Sequence, residues 1–371
     1  MREKIKLLHI TFDMNIGGTE QVIRNLIEGL DAAAYESSVL CVDGEVGPWG
    51  KDLQAKGIKH FCLQRQPGFD LELVKQVRKI IRENQFDIIH CHQYTPFTYG
   101  WFGRLMASPK IVFTEHGRFY PDFSSWKRKI INPVLQSATS AITAISAATK
   151  QALVDYENFS AKRIEVIYNG IADASSTMSQ HMRTDLQLER NQLVFGTISR
   201  LDPIKNHKMM LNAFAEVLQS YGDCRMLIVG DGPIRAELES QAAQLGIAEH
   251  TIFTGFQPQP KHYLAIMDVF LLPSFSEGTS MTLLEAMSFS KPSIATAVGG
   301  TPEILTHGES GLLIDNDDQP GLVQSMLELA GDPKRCNALG AGARQAYETR
   351  FTIANMVDEF QQLYQELLQR N

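Results

Sequence analysis

Short apolar runs rich in β-branched residues alternate with longer amphipathic stretches along most of the chain. Such alternation is typical of parallel sheets that carry helices on both faces. The runs with the length and composition of strands fall into two groups, separated by a polar stretch. The predicted strands are Lys6–Phe12, Ser37–Val42, Ile58–Leu63, Asp87–Cys91, Lys110–Thr114, Ala141–Ala144 and Arg163–Ile167 in the first group, and Leu193–Ser199, Arg225–Val229, Thr251–Thr254, Val269–Leu272, Ser293–Ala297 and Gly311–Ile314 in the second.

The polar stretch, residues 172–192, shows no clear strand pattern and is predicted to contain the linker between two domains. We therefore expect two α/β domains, residues 1–175 and 176–352, followed by a closing helical segment, residues 353–371. The closing helix has its apolar residues on one face, which predicts that this face is buried. The predicted helices are Glu20–Leu30, Gly50–Lys56, Leu71–Asn84, Ala147–Asn158, Ser280–Phe289, Cys336–Thr349 and Ile353–Leu368.

Composition limits the classes of protein that fit. The 371 residues are 44% hydrophobic and 21% charged, which is typical of folded globular domains and excludes a disordered chain. A net charge of −7 does not favour a nucleic-acid partner. The charge is uneven, because residues 1–170 hold 21 Lys and Arg against 18 Asp and Glu, and the rest hold 14 against 24. A basic first half suits an anionic membrane surface or a phosphorylated acceptor, although compositional drift explains it equally well.

Cysteines and apolar runs bear on localisation. The five cysteines are scattered and odd in number, which is typical of reduced cysteines in a cytosolic protein. The first residues lack the zones of a signal peptide, and no apolar run reaches the roughly 18 residues of a membrane span. We therefore expect a cytoplasmic protein, with any membrane contact peripheral.

Paired glycines follow the first predicted strand and open the first helix. The sequence there is Asn15-Ile16-Gly17-Gly18-Thr19-Glu20. Glycines at a strand-to-helix turn let main-chain N–H groups approach a phosphate, and the helix dipole favours the anion. Asn15 stands at the first glycine position of the dinucleotide-binding fingerprint, which disfavours a nicotinamide dehydrogenase. A purely structural turn remains the alternative.

Two charged segments follow strands of the second group. Arg200 and Lys205 place two cations at a strand-to-helix junction, where a diphosphate would need neutralising, although such a pair also occurs as ordinary surface charge. The second segment, residues 276–286, reads Ser-Glu-Gly-Thr-Ser-Met-Thr-Leu-Leu-Glu-Ala and contains Glu277 and Glu285. Glu285 lies among apolar helix positions, and an acid there needs a partner such as a bound hydroxyl. An exposed helix acid is the alternative.

A glycine turn and three histidines complete the candidate chemistry. Gly299 and Gly300 end a strand where main chain can come close to a ligand. His116 ends a strand before Gly117, which suits a hydrogen bond to a polar ligand or a structural one. His90 and His92 point to the same side of a strand and could bind a metal, but no acidic or cysteine partner at a suitable spacing supports this. We therefore expect no metal site.

Taken together, these segments resemble the retaining glycosyltransferases of family four over roughly residues 5–370. The most specific feature is the pair Glu277 and Glu285 within Ser-Glu-Gly…Leu-Leu-Glu-Ala-Met. Supporting features are Arg200 with Lys205, the turn Tyr168-Asn169-Gly170-Ile171, Gly230-Asp231-Gly232-Pro233, Gly299-Gly300-Thr301-Pro302-Glu303 and Gly308-Glu309-Ser310-Gly311-Leu312. Asp173 comes one residue later than the family pattern has its acid, so no role is assigned to it.

The resemblance implies a fold and a set of roles. The fold would be GT-B, two Rossmann-like α/β/α domains facing across a cleft, with the last helix crossing back to the N-terminal domain. The first domain would bind the acceptor and the second a nucleotide diphosphate sugar, with a UDP-sugar favoured. Arg200 and Lys205 would hold the diphosphate, Glu285 the ribose and Glu277 the sugar hydroxyls, while His116 would contact the sugar near the reacting centre. The remaining donor-binding residues would be Gly17, Gly18, Gly278, Thr279, Ser280, Gly299, Gly300 and Thr301.

The implied reaction is retaining hexosyl or N-acetylhexosaminyl transfer without a metal or other cofactor, because the two cations replace a divalent ion. We also hypothesise a same-face mechanism in which the leaving phosphate accepts the proton of the acceptor hydroxyl. Alternatives are a sugar-nucleotide epimerase or an inverting transferase on the same fold, or a non-catalytic GT-B interaction protein.

The prediction of an acceptor-binding surface is based on a basic, aromatic stretch after His116. It contains Arg118, Tyr120, Lys127, Arg128 and Lys129 beside several aromatic residues. Such a stretch suits a membrane surface or a lipid diphosphate, and a solvated helix face is the alternative. We hypothesise a glycan or lipid-linked acceptor for cell-surface polysaccharide, with peripheral contact at the inner membrane face.

Overall fold

The computed structural model describes residues 4–105, 109–117, 124–173, 182–189 and 191–369. The chain divides into two compact units. The first comprises Met1–Gly170 and Ile353–Asn371, and the second comprises Ile171–Thr352. The first boundary lies at Gly170, a few residues before the predicted one. Arg118 and Tyr120, predicted for the acceptor side, lie outside the described residues.

The elements follow one another as strand and helix through both units. In chain order, the first stretch contains β1 (Ile5–Thr11), α1 (Gly18–Gly29), β2 (Tyr35–Cys41), α2 (Gly47–Ala55), β3 (Lys59–Cys62), α3 (Leu71–Asn84), β4 (Ile88–His92), α4 (Tyr94–Arg104), β5 (Lys110–Glu115), α5 (Trp126–Ser137), β6 (Ala141–Ala144), α6 (Ala147–Glu157) and β7 (Ile164–Val166). The rest contains α7 (Met182–Asp185), β8 (Leu193–Ile198), α8 (His207–Ser220), β9 (Cys224–Val229), α9 (Arg235–Gln244), β10 (Thr251–Gly255), β11 (Val269–Leu272), α10 (Met281–Ser288), β12 (Ser293–Thr296), α11 (Thr301–Ile304), β13 (Leu312–Ile314), α12 (Gln319–Gly331), α13 (Pro333–Arg350) and α14 (Ile353–Gln369).

Each unit has one parallel sheet. The order in the first is β3-β2-β1-β4-β5-β6-β7, and in the second β10-β9-β8-β11-β12-β13. All ladder pairs between the named strands are parallel. The chain winds outwards from β1 and then from β4, and again from β8 and then from β11. This is the doubly wound order of a Rossmann-like domain, so the predicted α/β fold class is confirmed.

Helices pack against both sheets, whose strands are mostly buried. In the first sheet one face is apolar, whereas the other carries a row of polar side chains. The apolar face includes Leu8, Ile10, Ile89, Cys91, Ile111, Phe113 and Ile142, which belong to one core cluster. The polar row contains His9, Thr11, His90, His92, Thr114 and Thr143, all of them buried. Such a row is unusual in a sheet core. Its polar groups have lost contact with water and need hydrogen-bond partners inside the protein.

The closing helix α14 belongs to the first unit, as predicted. It contacts α1, and it buries Met356, Phe360 and Tyr364. At 0% exposure, the Tyr364 side chain lies entirely inside, where its hydroxyl group contacts His90 of β4. The helix therefore covers the polar row of the first sheet. Within the described residues, no helix has both the length and the apolarity required to cross a bilayer.

Candidate functional site

Each sheet has one place where its strand order reverses. In the first sheet this switch point lies between β1 and β4, and in the second between β8 and β11. Loops at the carboxyl ends of such strands diverge and leave a crevice in which ligands of open α/β sheets generally bind. Among the predicted donor residues, Arg200 and Lys205 follow β8 and residues 277–285 follow β11, and these two strands are paired neighbours. Their loops also meet, because Phe275 N donates to the Ile204 carbonyl at 2.8 Å.

An ion pair lies at this point of the second unit. Lys205 Nζ lies 2.7 Å from Glu277 Oε1, and the Ser274 hydroxyl donates to the same oxygen at 2.6 Å. The Glu277 side chain is only 9% exposed, so this pair is shielded from solvent. The resemblance to family four implies that Lys205 binds the phosphates and Glu277 the sugar. The structure brings the two side chains together, and their roles remain predictions.

Arg200 differs from its predicted partner Lys205. Its side chain is exposed, and the described part of the chain offers it no ion pair. A 3₁₀ turn at Pro203–Lys205, capped by Asp202, holds Lys205 in place. One cation is therefore fixed by the fold, and the other is exposed at the start of the same loop.

The glycine turn after β12 lies against the Glu277 loop. Gly299 has a φ of +51°, and a Cβ there would overlap the Glu277 carbonyl oxygen. Gly300 N donates to that carbonyl at 3.1 Å. Thr301 is buried, and its Oγ1 has no hydrogen-bond partner among the described residues. The turn thus holds main chain and an unpartnered hydroxyl beside Glu277.

Helix α10 carries the second predicted acid. The Ser280 hydroxyl caps the helix by accepting from Leu283 N at 3.3 Å. Thr279 and Ser280 are buried, and Gly278 is half-buried between them and Glu277. Glu285 is also buried, one turn further along the helix, as its apolar neighbours predict. The resemblance to family four implies that this carboxylate binds ribose.

The paired glycines lie at the switch point of the first unit. Gly17 is the N-cap of α1, and a Cβ there would overlap the Glu20 carboxylate. Burial raises the pKa of Glu20 to about 7, and nearby Asp13 adds to the effect. Gly18 is exposed. The partly buried carboxyl group of Glu20 therefore lies against the predicted phosphate-binding turn.

His116 belongs to a chain of imidazoles. Its Nε2 lies 2.9 Å from His92 Nδ1, and His92 Nε2 lies 3.0 Å from His9 Nδ1. Burial lowers the pKa of His9 and of His116 to about 3, and the pKa of His92 well below its usual value. All three rings are therefore neutral at physiological pH.

His90 lies beside this chain but has other partners. Its Nδ1 lies 2.7 Å from the Tyr364 hydroxyl, and its Nε2 lies 2.6 Å from Thr114 Oγ1. Thr114 in turn contacts Thr143 Oγ1 at 2.5 Å. Burial also lowers the pKa of His90. Most of the polar row is thus connected by hydrogen bonds.

His9, His90 and His92 lie close enough to hold a metal ion, with potential ligand atoms within 4.8 Å of one another. The sequence points only to His90 and His92, and His9 is absent from the predicted site. A histidine inside an otherwise apolar strand is the signal that could have identified it. Both nitrogens of His90 already have hydrogen-bonding partners, so a metal would have to displace one of them.

Helix α5 carries the described part of the predicted acceptor side. Lys127 and Lys129 are exposed, as a surface role requires. Arg128 turns inward: its Nη1 lies 2.8 Å from the buried Glu157 carboxylate, and its guanidinium lies 4.5 Å from the Tyr94 ring centroid. Arg128 therefore holds α5 against α6 and α4. The place of Arg128 on an acceptor surface stays a prediction, because its side chain is also 40% exposed.

Comparison with known proteins covers both units. Residues 16–174 match the family model "Glycosyltransferase Family 4", and residues 179–346 match "Glycosyl transferases group 1". The chain is 25% identical over 319 residues to the N-acetyl-alpha-D-glucosaminyl L-malate synthase of Bacillus anthracis, covering 84% of this chain and 83% of that protein. It is 24% identical over 383 residues to the UDP-Gal:alpha-D-GlcNAc-diphosphoundecaprenol alpha-1,3-galactosyltransferase of Escherichia coli, covering 98% of both.

Solved structures share the fold. A glycosyltransferase from Rickettsia africae superposes with a TM-score of 0.86 at 18% identity, covering 99% of this chain and 100% of that one. Anabaena HepE in complex with UDP superposes with a TM-score of 0.85 at 21% identity, covering 98% of this chain and 100% of that one. These neighbours confirm the GT-B fold class. With both halves matched by glycosyltransferase models in the expected order, the chain belongs to the glycosyltransferases of family four.

Proposed function

We propose that this chain is a retaining, metal-independent transferase that moves a hexose or N-acetylhexosamine from a UDP-sugar to a lipid-linked or oligosaccharide acceptor in cell-surface polysaccharide biosynthesis. The observation that carries the proposal is the shielded Lys205–Glu277 pair at the switch point of the second sheet. A nucleotide diphosphate sugar needs a cation for its phosphates and an acid for its hydroxyl groups, and both lie here.

The neighbouring groups suit the same ligand. The unpartnered Thr301 hydroxyl and the main chain at Gly299 and Gly300 offer hydrogen bonds to phosphate oxygens. Glu285 is buried, and in this proposal its carboxylate accepts hydrogen bonds from the ribose hydroxyls. UDP is favoured over other nucleotides because HepE of the same fold was solved with UDP, and the similar Escherichia coli enzyme uses UDP-Gal.

The proposed chemistry depends on fixed charge. When the bond between sugar and phosphate breaks, negative charge grows on the leaving diphosphate and the sugar becomes cationic. Lys205 and Arg200 stabilise that charge more in the transition state than in the ground state, which makes a divalent ion unnecessary. In the first unit, neutral His116 binds a substrate hydroxyl. The leaving phosphate takes the acceptor's proton on the face that it vacates, so the anomeric configuration is retained.

A thermal-shift measurement tests the donor. We expect UDP to raise the melting temperature of the second unit more than GDP, ADP or NAD. A ligand at about 100 times its Kd stabilises by roughly 2.7 kcal/mol. Glu285→Gln, which keeps the size of the side chain, should reduce the shift. Glu216→Gln, an exposed acid on α8, is the matched control and should not. No shift with any nucleotide would contradict the proposal.

A transfer assay tests the mechanism. UDP-sugars are incubated with an α-linked lipid diphosphate sugar as acceptor, with and without EDTA, and the product is examined by NMR. We expect the donor's anomeric configuration in the product and a rate that EDTA leaves unchanged. A product of opposite configuration, or a covalent glycosyl adduct of the protein in mass spectra, would overturn the same-face mechanism. Loss of the rate in EDTA would overturn metal independence.

Helix α5 is the proposed membrane contact. Trp126, Ile130 and Val134 are 70%, 67% and 54% exposed and recur every four residues, so they form one apolar stripe. Lys127 and Lys129 are exposed on the same helix. An exposed apolar stripe with lysines fits the surface of an anionic membrane, where a lipid-linked acceptor is held. Lipid-linked substrates are also named for the similar Escherichia coli enzyme.

Vesicle sedimentation tests this contact. Lys127→Gln with Lys129→Gln should weaken binding to anionic vesicles by about fivefold per lysine at low salt. Trp126→Ser with Ile130→Ser should weaken it at low and high salt alike, because the apolar contribution is not screened. The control is Lys75→Gln with Lys79→Gln on α3, whose side chains are both 72% exposed. Equal binding by all variants would remove α5 from the proposal.

A further inference from the structure

Three imidazoles in the first unit form one hydrogen-bonded row. His9 lies in β1, His92 ends β4 and His116 follows β5, with nitrogen separations of 3.0 Å and 2.9 Å. Among the described residues, the two atoms at the ends of the row, His9 Nε2 and His116 Nδ1, are buried and have no partner. The row therefore begins and ends on a nitrogen that still requires a hydrogen bond.

The chemistry of neutral imidazole restricts this row. Burial keeps all three rings uncharged, so each carries one N–H and one bare nitrogen. Both hydrogen bonds form only if every proton points the same way along the row. The protons must then lie on Nδ1 of all three rings or on Nε2 of all three. In the first arrangement His116 Nδ1 donates a hydrogen bond, and in the second it accepts one.

We propose that His9 and His92 are positioning residues that set the tautomer of His116, so that His116 Nδ1 meets a substrate hydroxyl as a defined donor or acceptor. This inference rests on the proposed function for the identity of the substrate. The partner of one ring nitrogen generally decides the state of the other. Here the state of His9 determines that of His92, and His92 in turn determines that of His116.

The hydrogen bonds favour this reading over a metal site. Zinc bound by His9, His90 and His92 would require His90 to lose Tyr364 or Thr114, and His92 to lose His9 or His116. It would also bring two positive charges into a fully buried row of neutral groups. The row of imidazoles satisfies the interior nitrogens without any added ion.

NMR of the wild-type protein tests the row directly. The protein is labelled with ¹⁵N-histidine, and long-range correlation spectra report which nitrogen of each ring carries the proton. We expect His9, His92 and His116 to carry it on the same nitrogen, or to show the same averaging between both. The spectra should respond together when UDP-sugar is added. Protons on different nitrogens in neighbouring rings would overturn the proposal, as would one equivalent of zinc found by elemental analysis.

Variants of His9 test the effect on the reaction, because His9 lies at the far end of the row from His116. His9→Leu removes the partner of His92 and should lower kcat about tenfold, with little change in the Kd for UDP. His9→Asn places an amide near the position of Nδ1 and should restore most of the rate. His60→Asn, on β3 of the same sheet, is the control and should leave kcat unchanged. Equal losses in His9→Leu and His9→Asn would assign His9 to folding alone.

The two proposals fail in different ways. If the wild type transfers no sugar from any nucleotide donor, the proposed function is wrong, while the ¹⁵N spectra still decide whether the three tautomers are coupled. If transfer occurs but His9→Leu neither lowers kcat nor changes the proton position on His116, the inference about positioning is wrong and the proposed function stands.

Discussion

At Gly299 the absence of a side chain determines how closely two loops of the second unit approach. Its φ of +51° is unfavourable for any residue with a Cβ, and that Cβ would also overlap the Glu277 carbonyl oxygen. Gly299→Ala should therefore displace the 299–301 turn and lower the free energy of unfolding by more than about 2 kcal/mol. The UDP-induced thermal shift should be lost as well, because the turn lies beside Glu277.

Gly308 provides the matched control for this prediction. It has a similar positive φ of +79°, but the nearest atom to its added Cβ would be an Arg335 side-chain nitrogen at 3.4 Å. Gly308→Ala therefore isolates the cost of the backbone conformation, about 1 kcal/mol. Urea unfolding and UDP titration of both variants separate two effects of the added Cβ: the unfavourable backbone conformation, and the overlap with the Glu277 carbonyl oxygen. A Gly299→Ala protein that behaves like Gly308→Ala would show that the close approach to Glu277 is not required.

Individual residues differ in how far the sequence could reveal them. Glu285 was predictable because a carboxylate among apolar helix positions is conspicuous, and its burial is confirmed. The contact between Lys205 and Glu277 was not, because they are far apart in the chain and meet only through the pairing of β8 with β11. His9 stands out in the sequence as a histidine inside an apolar strand, but its place beside the other histidines depends on the register between β1 and β4, which sets it opposite His90.

Among the elements, α14 makes a buried polar contact with the first sheet. The Tyr364 hydroxyl lies 2.7 Å from His90 Nδ1, and both side chains are fully buried. Tyr364→Phe should lower the free energy of unfolding by about 1–3 kcal/mol, because it leaves a buried imidazole nitrogen without a partner. Urea unfolding followed by circular dichroism measures this. Tyr221→Phe, at a partly exposed position, should change it by less than about 0.5 kcal/mol. Equal stability of the two variants would contradict the role of the hydroxyl.

The sequence patterns located strands better than helices. Each predicted strand is present within a few residues, because buried parallel strands are short apolar runs with clear ends. Helix α4 was not predicted: it reads Tyr-Thr-Pro-Phe-Thr-Tyr-Gly-Trp-Phe-Gly-Arg, which is apolar on most sides and contains proline and glycine. A buried helix of this kind has no amphipathic period, so its sequence resembles a loop or a strand. Packing against β4 and α3 determines it instead.

Over the described part of the molecule, histidines with a strongly lowered pKa are unevenly distributed between the two units. His9, His90, His92 and His116 lie in the first unit and His207 in the second, and burial lowers the pKa of each. These groups bind protons near pH 6.5 only when the protein unfolds. The stability that they contribute is present above pH 6.5 and is lost as the pH falls towards their folded pKa values. The first unit should therefore be more sensitive to acid than the second.

The tryptophans make this difference measurable, because Trp49, Trp101 and Trp126 all lie in the first unit. Tryptophan fluorescence reports the first unit, and far-ultraviolet circular dichroism reports both. Between pH 7.5 and pH 5, the midpoint of thermal unfolding by fluorescence should fall further than the last transition by circular dichroism. Each histidine contributes up to about 1.4 kcal/mol per pH unit. Coincident midpoints at every pH would contradict the prediction.

Glu20 tests the direction in which the stability of the first unit changes with pH. Its folded pKa of about 7 is above the ordinary value of 4.5, so deprotonation destabilises the first unit as the pH rises through this range. Acidification from pH 7 to pH 4.5 therefore gains stability from Glu20 while it loses stability from the four histidines. Glu20→Gln removes only the gain. It should raise the fluorescence midpoint at pH 7.5 and make the midpoint decline more steeply below pH 7. An unchanged decline would mean that Glu20 ionises at its ordinary pKa and that its burial against Gly17 has no electrostatic cost.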